Sequence, residues 1–311
     1  MSYHGGRGGN LKFGIRNLEF GIWNACPEFQ NGIPNSEFQI LNFMNAILAI
    51  AVNVFRESVR DKVLYNLVLF AILLIGASYI LGQLTAGQDV KIIKDLGLAA
   101  TSMFGLFIAV FIGIGLVSKE VERRSIYSLL AKPIHRYQLV LGKYAGLTLT
   151  LAVNVAIMAA ALYLVLVYTA WGVSADVQRV WDAPALDPAL LEAIGLILVE
   201  LMLITALALF FSTFSTPILS AAFTFGLFVV GHFSADLRNF DQVVDSAAAA
   251  RLARALYWIL PNLAQFDVKS QVVHGEKVPL GYLLFTGGYA MLYIGMLLSI
   301  SMYVFSRRDF K

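Results

Sequence analysis

A single cysteine, Cys26, stands in 311 residues, so the chain can form neither an internal disulfide nor a cysteine metal cluster. Charge is scarce as well. Only 14% of residues are Asp, Glu, Lys or Arg, against about 25% in an ordinary soluble domain. The net charge of +3 is too small, and the basic clusters too free of interleaved aromatics, for a nucleic-acid surface. No Gly-x-x-x-x-Gly-Lys-Ser/Thr phosphate loop occurs. Gly142-Lys143 comes nearest but lacks the preceding glycine and the following Ser or Thr, so the chain cannot hydrolyse ATP by that route. His-Glu-x-x-His and Gly-x-Ser-x-Gly are missing and the four histidines do not cluster, which argues against an intramembrane hydrolase. No catalytic residue and no metal site is expected. The first 40 residues contain no continuous apolar h-region, so no cleavable signal peptide is expected.

What is present is apolar residues in long blocks. Hydrophobic residues make up 59% of the chain, and the mean hydropathy is +0.73. A membrane-spanning helix needs about 20 apolar residues. Six segments meet or approach that: 63–84, 97–117, 144–170, 190–211, 217–233 and 281–305. The fifth is the shortest. The runs are apolar on every face and about twice the length of a barrel strand, so helices are the only spanning structure they fit. The expected fold is an all-α integral membrane protein with six transmembrane helices.

Charge in the connections sets the orientation. The 118–143 connection carries Lys119, Arg123, Arg124, Lys132, Arg136 and Lys143 against Glu120 and Glu122. Arg56, Arg60 and Lys62 precede the first span, and Arg307, Arg308 and Lys311 follow the last. On the other side, Lys91 and Lys94 in 85–96 are balanced by Asp89 and Asp95. The 171–188 connection is acidic, with Asp176, Asp182 and Asp187 against Arg179. Both termini and the 118–143 connection are therefore expected on the cytoplasmic side of the cell membrane. Tyr168 and Trp171 suit the opposite interface.

Residues 44–62 are amphipathic. Ile47, Ile50, Ala51, Val54 and Phe55 recur at helical spacing, with Arg56 and Arg60 one turn apart. This pattern predicts an elbow helix in the cytoplasmic interface leading into the first span; the plainer alternative is a charged flank of that span. Residues 1–43 differ. Leu11–Asn17, Leu18–Asn24 and Ser36–Asn42 repeat one seven-residue theme. Apolar side chains alternate within the units and glycine recurs, and both facts oppose a helix. We expect 1–43 to be a disordered or spurious extension with Met44 as the natural start, against the alternative of a weakly ordered cytoplasmic tail.

The 118–143 segment stands out from the apolar wall around it. Ile126, Leu129 and Leu130 form a stripe, and Pro133 ends the helix. A new helix is predicted from near Arg136. The pattern from Glu120 and Glu122 through Arg123, Arg124, Ser125, Ile126, Tyr127, Leu129, Leu130, Lys132, Pro133 and Arg136 to Gly142-Lys143 resembles the cytoplasmic coupling region of ABC-2-type permeases. The branch resembled includes the permease of the nitrous oxide reductase maturation system. The Asn53–Lys62 elbow, Ala208–Ser215, Leu260-Pro261-Asn262-Leu263 and the Arg307-Arg308-Asp309-Phe310 terminus also fit. The resemblance covers 44–311, and 1–43 has no counterpart in it.

The resemblance implies a six-span permease domain over 44–311 and a cytoplasmic coupling helix. It implies a separate ABC ATP-binding subunit that uses ATP and Mg, so this chain binds no cofactor, and export of a substrate the sequence does not name. Coupling residues implied are Glu120, Glu122, Arg123, Arg124, Tyr127, Leu130, Lys132, Pro133 and Arg136, with Phe55, Arg56 and Arg60 on the elbow. Six spans are half the usual transporter wall in that family, so a second permease chain, as a homodimer or heterodimer, is implied, with membrane lipid around it. The alternatives are a free-standing carrier or channel, and a membrane scaffold without transport. A carrier would want internal repeats and several intramembrane polar sites. Here only Glu200 and scattered asparagines are offered. Glu200, near the middle of the fourth span, must face protein or water or be protonated. It lies either on a substrate path or subunit interface, or as a neutral carboxyl bonded to a neighbouring helix, with Asn154 as candidate partner. The resemblance further implies short helices capping the outer mouth in 234–280, with a helix expected over 241–257.

Overall fold

The computed structural model describes residues 35–84, 89–122, 136–179, 181, 183–234, 251, 257 and 260–307. Among them every regular element is helical. The chain divides into two units, Met1–Ala46 and Ile47–Lys311. In the first, the described residues are helical from Asn35. That helix, α1, is Asn35–Val59. The third seven-residue unit, Ser36–Asn42, is thus helical where no helix was expected. It contains no glycine and runs without a break into the amphipathic stretch, and extending an existing helix costs far less than nucleating one. The first two units lie outside the described residues.

The second unit is built from α2 (Lys62–Gln83), α3 (Asp89–Glu122), α4 (Arg136–Trp171), the short α5 (Ala175–Gln178), α6 (Ala189–Ser212), α7 (Pro217–His232), a 3-10 turn at Ala264–Phe266, the short α8 (Lys269–Val273) and α9 (Leu280–Arg307). Local chemistry sets the boundaries. Asp61 caps α2 by accepting from the Val63 amide at 3.0 Å. Asp187 accepts from the Ala189 amide at 3.0 Å and opens α6. Pro217 occupies the first position of α7, where a missing N–H is harmless. Between α6 and α7 the Ser212 and Thr213 hydroxyls donate to Leu209 O and Phe210 O, both at 2.7 Å, satisfying carbonyls at the helix end.

Among the described residues, five helices are long and apolar enough to cross a membrane: α2, α3, α4, α6 and α9. Helix α7 has 16 residues, or about 24 Å at 1.5 Å per residue, less than the ~30 Å hydrocarbon core. Of the six expected transmembrane helices, five are long enough among the described residues, and the remaining one, the segment 217–233 already the shortest in the sequence, is the shorter apolar helix α7. Helix α6 lies at the centre and packs on α3, α4, α7, α8, α9 and the 3-10 turn. Of the apolar windows of α3 and α6, 67% is buried, against 22% for α2 and 28% for α9. The latter two are the peripheral helices whose apolar faces remain open.

The second span begins at Asp89, not near residue 97, so Lys91, Lys94 and Asp95 belong to the first turns of α3 rather than to a connection. Burial of Lys94 explains the shift. Its side chain is 0% exposed, and its ammonium donates to Pro184 O at 2.7 Å. The aliphatic stem adds to the core while the charged head reaches the 183–188 segment, with Asp187 within electrostatic reach. Substituting Lys94→Met should keep the stem and lose the bond, costing about 1.5–3 kcal/mol. We expect a lower unfolding temperature in detergent and faster tryptic cleavage after the exposed Arg179, measured on purified protein.

The apolar stripe of α1 packs on α4. Ala51 and Val54 are buried, while Arg56, Glu57 and Arg60 are exposed and Phe55 half-buried. A Cβ added at Gly146 would lie 2.5 Å from Ala51 O, and one at Gly142 would lie 2.7 Å from Ile50 Cβ. The two glycines let the helix backbones meet where any side chain would push them apart. Gly146→Val should cost about 1–3 kcal/mol by overpacking and lower the detergent unfolding temperature. Gly288→Ala, on α9 where nothing lies within 4 Å of the added Cβ, should leave that temperature unchanged or raised. Equal effects of the two would overturn the packing argument.

Candidate coupling ends and a buried acid

Helix α3 has 34 residues and α4 has 36, or about 51 and 54 Å at 1.5 Å per residue. Both exceed the ~30 Å hydrocarbon core. Helix α3 continues through Glu120 and Glu122. Helix α4 begins at Arg136, as the sequence pattern predicts. The two helices pack on each other, and α2 packs on both. The connection between Glu122 and Arg136 lies outside the described residues. Glu120 and Glu122 are part of the continuous α3 helix, not of a separate short helix beginning at 119. Arg123, Arg124, Tyr127, Leu130, Lys132 and Pro133 lie outside the described residues, as does most of the segment 241–257.

In the first turns of α4, Gln138 and Lys143 are buried. The Tyr144 hydroxyl donates to Met202 O at 3.3 Å, tying α4 to α6. The α1 stripe covers the same stretch of α4 through Gly142 and Gly146. The Phe55 end of α1 thus leads directly from this surface into α2.

Glu200 sits on α6 and is 1% exposed. The expected partner, Asn154, does not meet it. Asn154 is buried, but its amide donates to Thr150 O one turn back at 2.7 Å. The residue beside Glu200 is His232, the last of α7, with Nε2 at 3.4 Å from Oε1. Its other ring nitrogen, Nδ1, faces Phe228 O at 3.1 Å, and the imidazole lies against the Phe228 ring with centroids 4.5 Å apart. Two further charged groups act on both residues electrostatically, Lys269 and Asp267. These two face each other at 3.6 Å.

The segment carrying Asp267 and Lys269 reaches down among the helices. Leu263 N donates to Gly231 O at 3.0 Å, Ser234 Oγ to Asn262 Oδ1 at 2.6 Å, and the Asn262 amide to Tyr289 Oη at 2.8 Å. Tyr282 donates to Gln265 O at 2.6 Å. Phe266, Val268, Val272 and Val273 are buried. His232, Asp267 and Lys269 were absent from the sequence-derived candidates. The available signal was that His232 is the only ionisable residue in 217–233 and falls at the end of an unusually short apolar run.

Among the described residues no group of three or more His, Cys, Asp or Glu side chains is placed to hold a metal ion. No curated protein matches the chain. The sequence pattern of the ABC-2 family transporter proteins matches residues 48–310, which takes in α2 to α9 and nearly all of the α1 stripe. That match takes in a bundle of apolar helices long enough to cross a membrane, and the chain belongs to the ABC-2 family of transporter proteins as an integral membrane permease.

Proposed function

We propose that the chain is one half of the membrane wall of an ATP-driven exporter, worked by a separate ATP-binding subunit that grips the 123–135 connection. The observation that carries this reading is that α3 and α4, each longer than the bilayer core, pack on each other and flank this connection. Two packed helices that leave the bilayer together act as one stiff lever, and a partner bound at the tip moves both. The residues assigned to the tip are Glu120, Glu122, Arg123, Arg124, Tyr127, Leu130, Lys132, Pro133 and Arg136. The partner binds and hydrolyses ATP with Mg; this chain supplies no phosphate loop. The excess of Lys and Arg around 118–143 puts the tip in the cytoplasm. With α7 as a shortened sixth crossing, both termini lie on that side of the cell membrane too. Helix α1, with Arg56 and Arg60 exposed, lies at the cytoplasmic interface. A second permease chain completes the wall, as an identical copy or a related one, and closed twofold pairing is the commonest symmetry for such assemblies.

The experiment is affinity capture of the ATP-binding subunit by the tagged full chain, followed by its ATP turnover in nanodiscs. Charge reversal at Glu120 or Arg124 should slow association and flatten or reverse its salt dependence. Tyr127→Ala or Leu130→Ala should weaken capture at least about tenfold, because buried apolar anchors carry most of an interface's energy. Pro133→Ala should retain capture but uncouple turnover from transport. If all these variants bind and stimulate like wild type, the connection is only a topological anchor and the reading loses its support.

A further inference from the structure

We infer that Glu200 and His232 form a proton-binding site that holds one proton between them, and that this proton clamps the end of α7 and the segment 261–273 onto α6. Counting donors and acceptors leads to that number. His232 Nδ1 faces the Phe228 carbonyl, which can only accept, so Nδ1 carries a hydrogen. In a neutral imidazole the other nitrogen, Nε2, is then an acceptor lone pair, and it points at Glu200 Oε1 from 3.4 Å. An ionised carboxylate would set two acceptors against each other. As placed, Glu200 Oε1 is buried without a hydrogen-bond partner. One added proton satisfies both atoms, whether it rides on oxygen as a carboxylic acid or on nitrogen as an imidazolium. A second proton would leave a buried cation facing an O–H.

Among the described residues, the charged groups that act on the acid are Lys269 and Asp267 of the capping segment. On α7 the only ionisable residue is His232, and α9 carries no charged side chain from Leu280 to Phe305. On α3, the charges Asp89, Lys91, Lys94 and Asp95 fall in the first turns, with Lys94 engaged by Pro184 O. On α4, Lys143 lies towards the opposite end, near α1. Glu192 is two turns up α6, about 12 Å away along the axis. Lys269 and Asp267, from the capping segment, act on the acid with opposite signs, the lysine more strongly, and face each other at 3.6 Å. Burying an isolated carboxylate at this depth is costly, so the proton is the ligand the site accepts.

The clamp follows from connectivity. Gly231, next to His232, accepts from Leu263 N, and Asn262 is tied to Ser234 and to Tyr289 of α9. Parting His232 from Glu200 therefore loosens the α7 end together with the capping segment. Loss of the proton as pH rises replaces an attractive contact by acceptor against acceptor, so the cap should open on the alkaline side.

The test uses the full chain in nanodiscs. In protein labelled with 15N-histidine, the signal lost in His232→Asn assigns His232. At neutral pH we expect its Nε2 shift to report a hydrogen-bonded or protonated nitrogen, moving to the free lone-pair value at alkaline pH. Hydrogen exchange of the peptide containing Leu263, corrected for intrinsic rate, should accelerate about tenfold over the same pH range, the scale of one lost hydrogen bond. Glu200→Gln keeps the size and can donate an amide hydrogen to Nε2, so it should fold and abolish both pH responses. A free Nε2 lone pair in wild type at neutral pH, or an unchanged exchange response in Glu200→Gln, would overturn the assignment.

Discussion

Lipid offers no hydrogen bonds, and nearly every local choice in this chain answers to that. Each backbone amide and carbonyl within the bilayer must find its partner inside the protein, so the apolar runs become helices. The small polar side chains obey the same constraint by bonding back one turn. Thr101 donates to Gly97 O, Thr150 to Gly146 O, Thr205 to Leu201 O, Thr224 to Ser220 O and Ser301 to Leu297 O. Asn154 uses its amide the same way. The irregular backbone at 261–267 is admissible for the same reason, since Gly231, Tyr282 and Tyr289 satisfy it from either side. Against that background the Glu200–His232 contact is conspicuous: it crosses between helices, and it is incomplete without a proton.

A second constraint is length. Helices α2 and α6, with 22 and 24 residues, match the bilayer core, whereas α3 and α4 exceed it and α7 falls short. Excess and deficit have opposite uses. The overrun of α3 and α4 projects helix beyond lipid, where charged residues are cheap and a soluble protein can bind. The deficit in α7 leaves room at membrane depth, and the 260–278 segment fills it with buried Leu263, Phe266, Val268, Val272 and Val273.

How much of this was legible in the sequence follows from the range of each signal. Hydropathy is a local sum, so the five long spans and the weak sixth could be read directly. So could the restart of helix at Arg136 after Pro133 and the stripe Ile47, Ile50, Ala51, Val54. The start of α3 could not, because Lys94 looks like a loop charge until Pro184, ninety residues on, is seen to receive it. The helicity of Ser36–Asn42 was hidden because seven residues judged alone have poor helix chemistry, while the same residues abutting a strong helix are carried by it. Asn154 was the wrong partner for Glu200 because proximity between helices depends on rotation about their axes, which apolar-all-round sequences do not encode. A helix with a weak polar face gives no clue which side meets which neighbour.

The arrangement joins two ends of the bundle through one helix. Helix α6 touches α3 and α4, whose paired extension forms the proposed lever, and it also bears Glu200, against which the end of α7 and the capping segment rest. Interiors packed this closely do not deform smoothly. A tilt of the α3–α4 pair must therefore carry α6 with it or break the contacts made through Tyr144. If α6 shifts against α7, Glu200 moves relative to His232, because each is carried by its own helix. A contact already at 3.4 Å is sensitive to such a displacement, since hydrogen bonding fades within a few tenths of an ångström beyond its usual range. The buried acid thus sits where a movement of α6 would be felt by the end of α7 and the 261–273 segment.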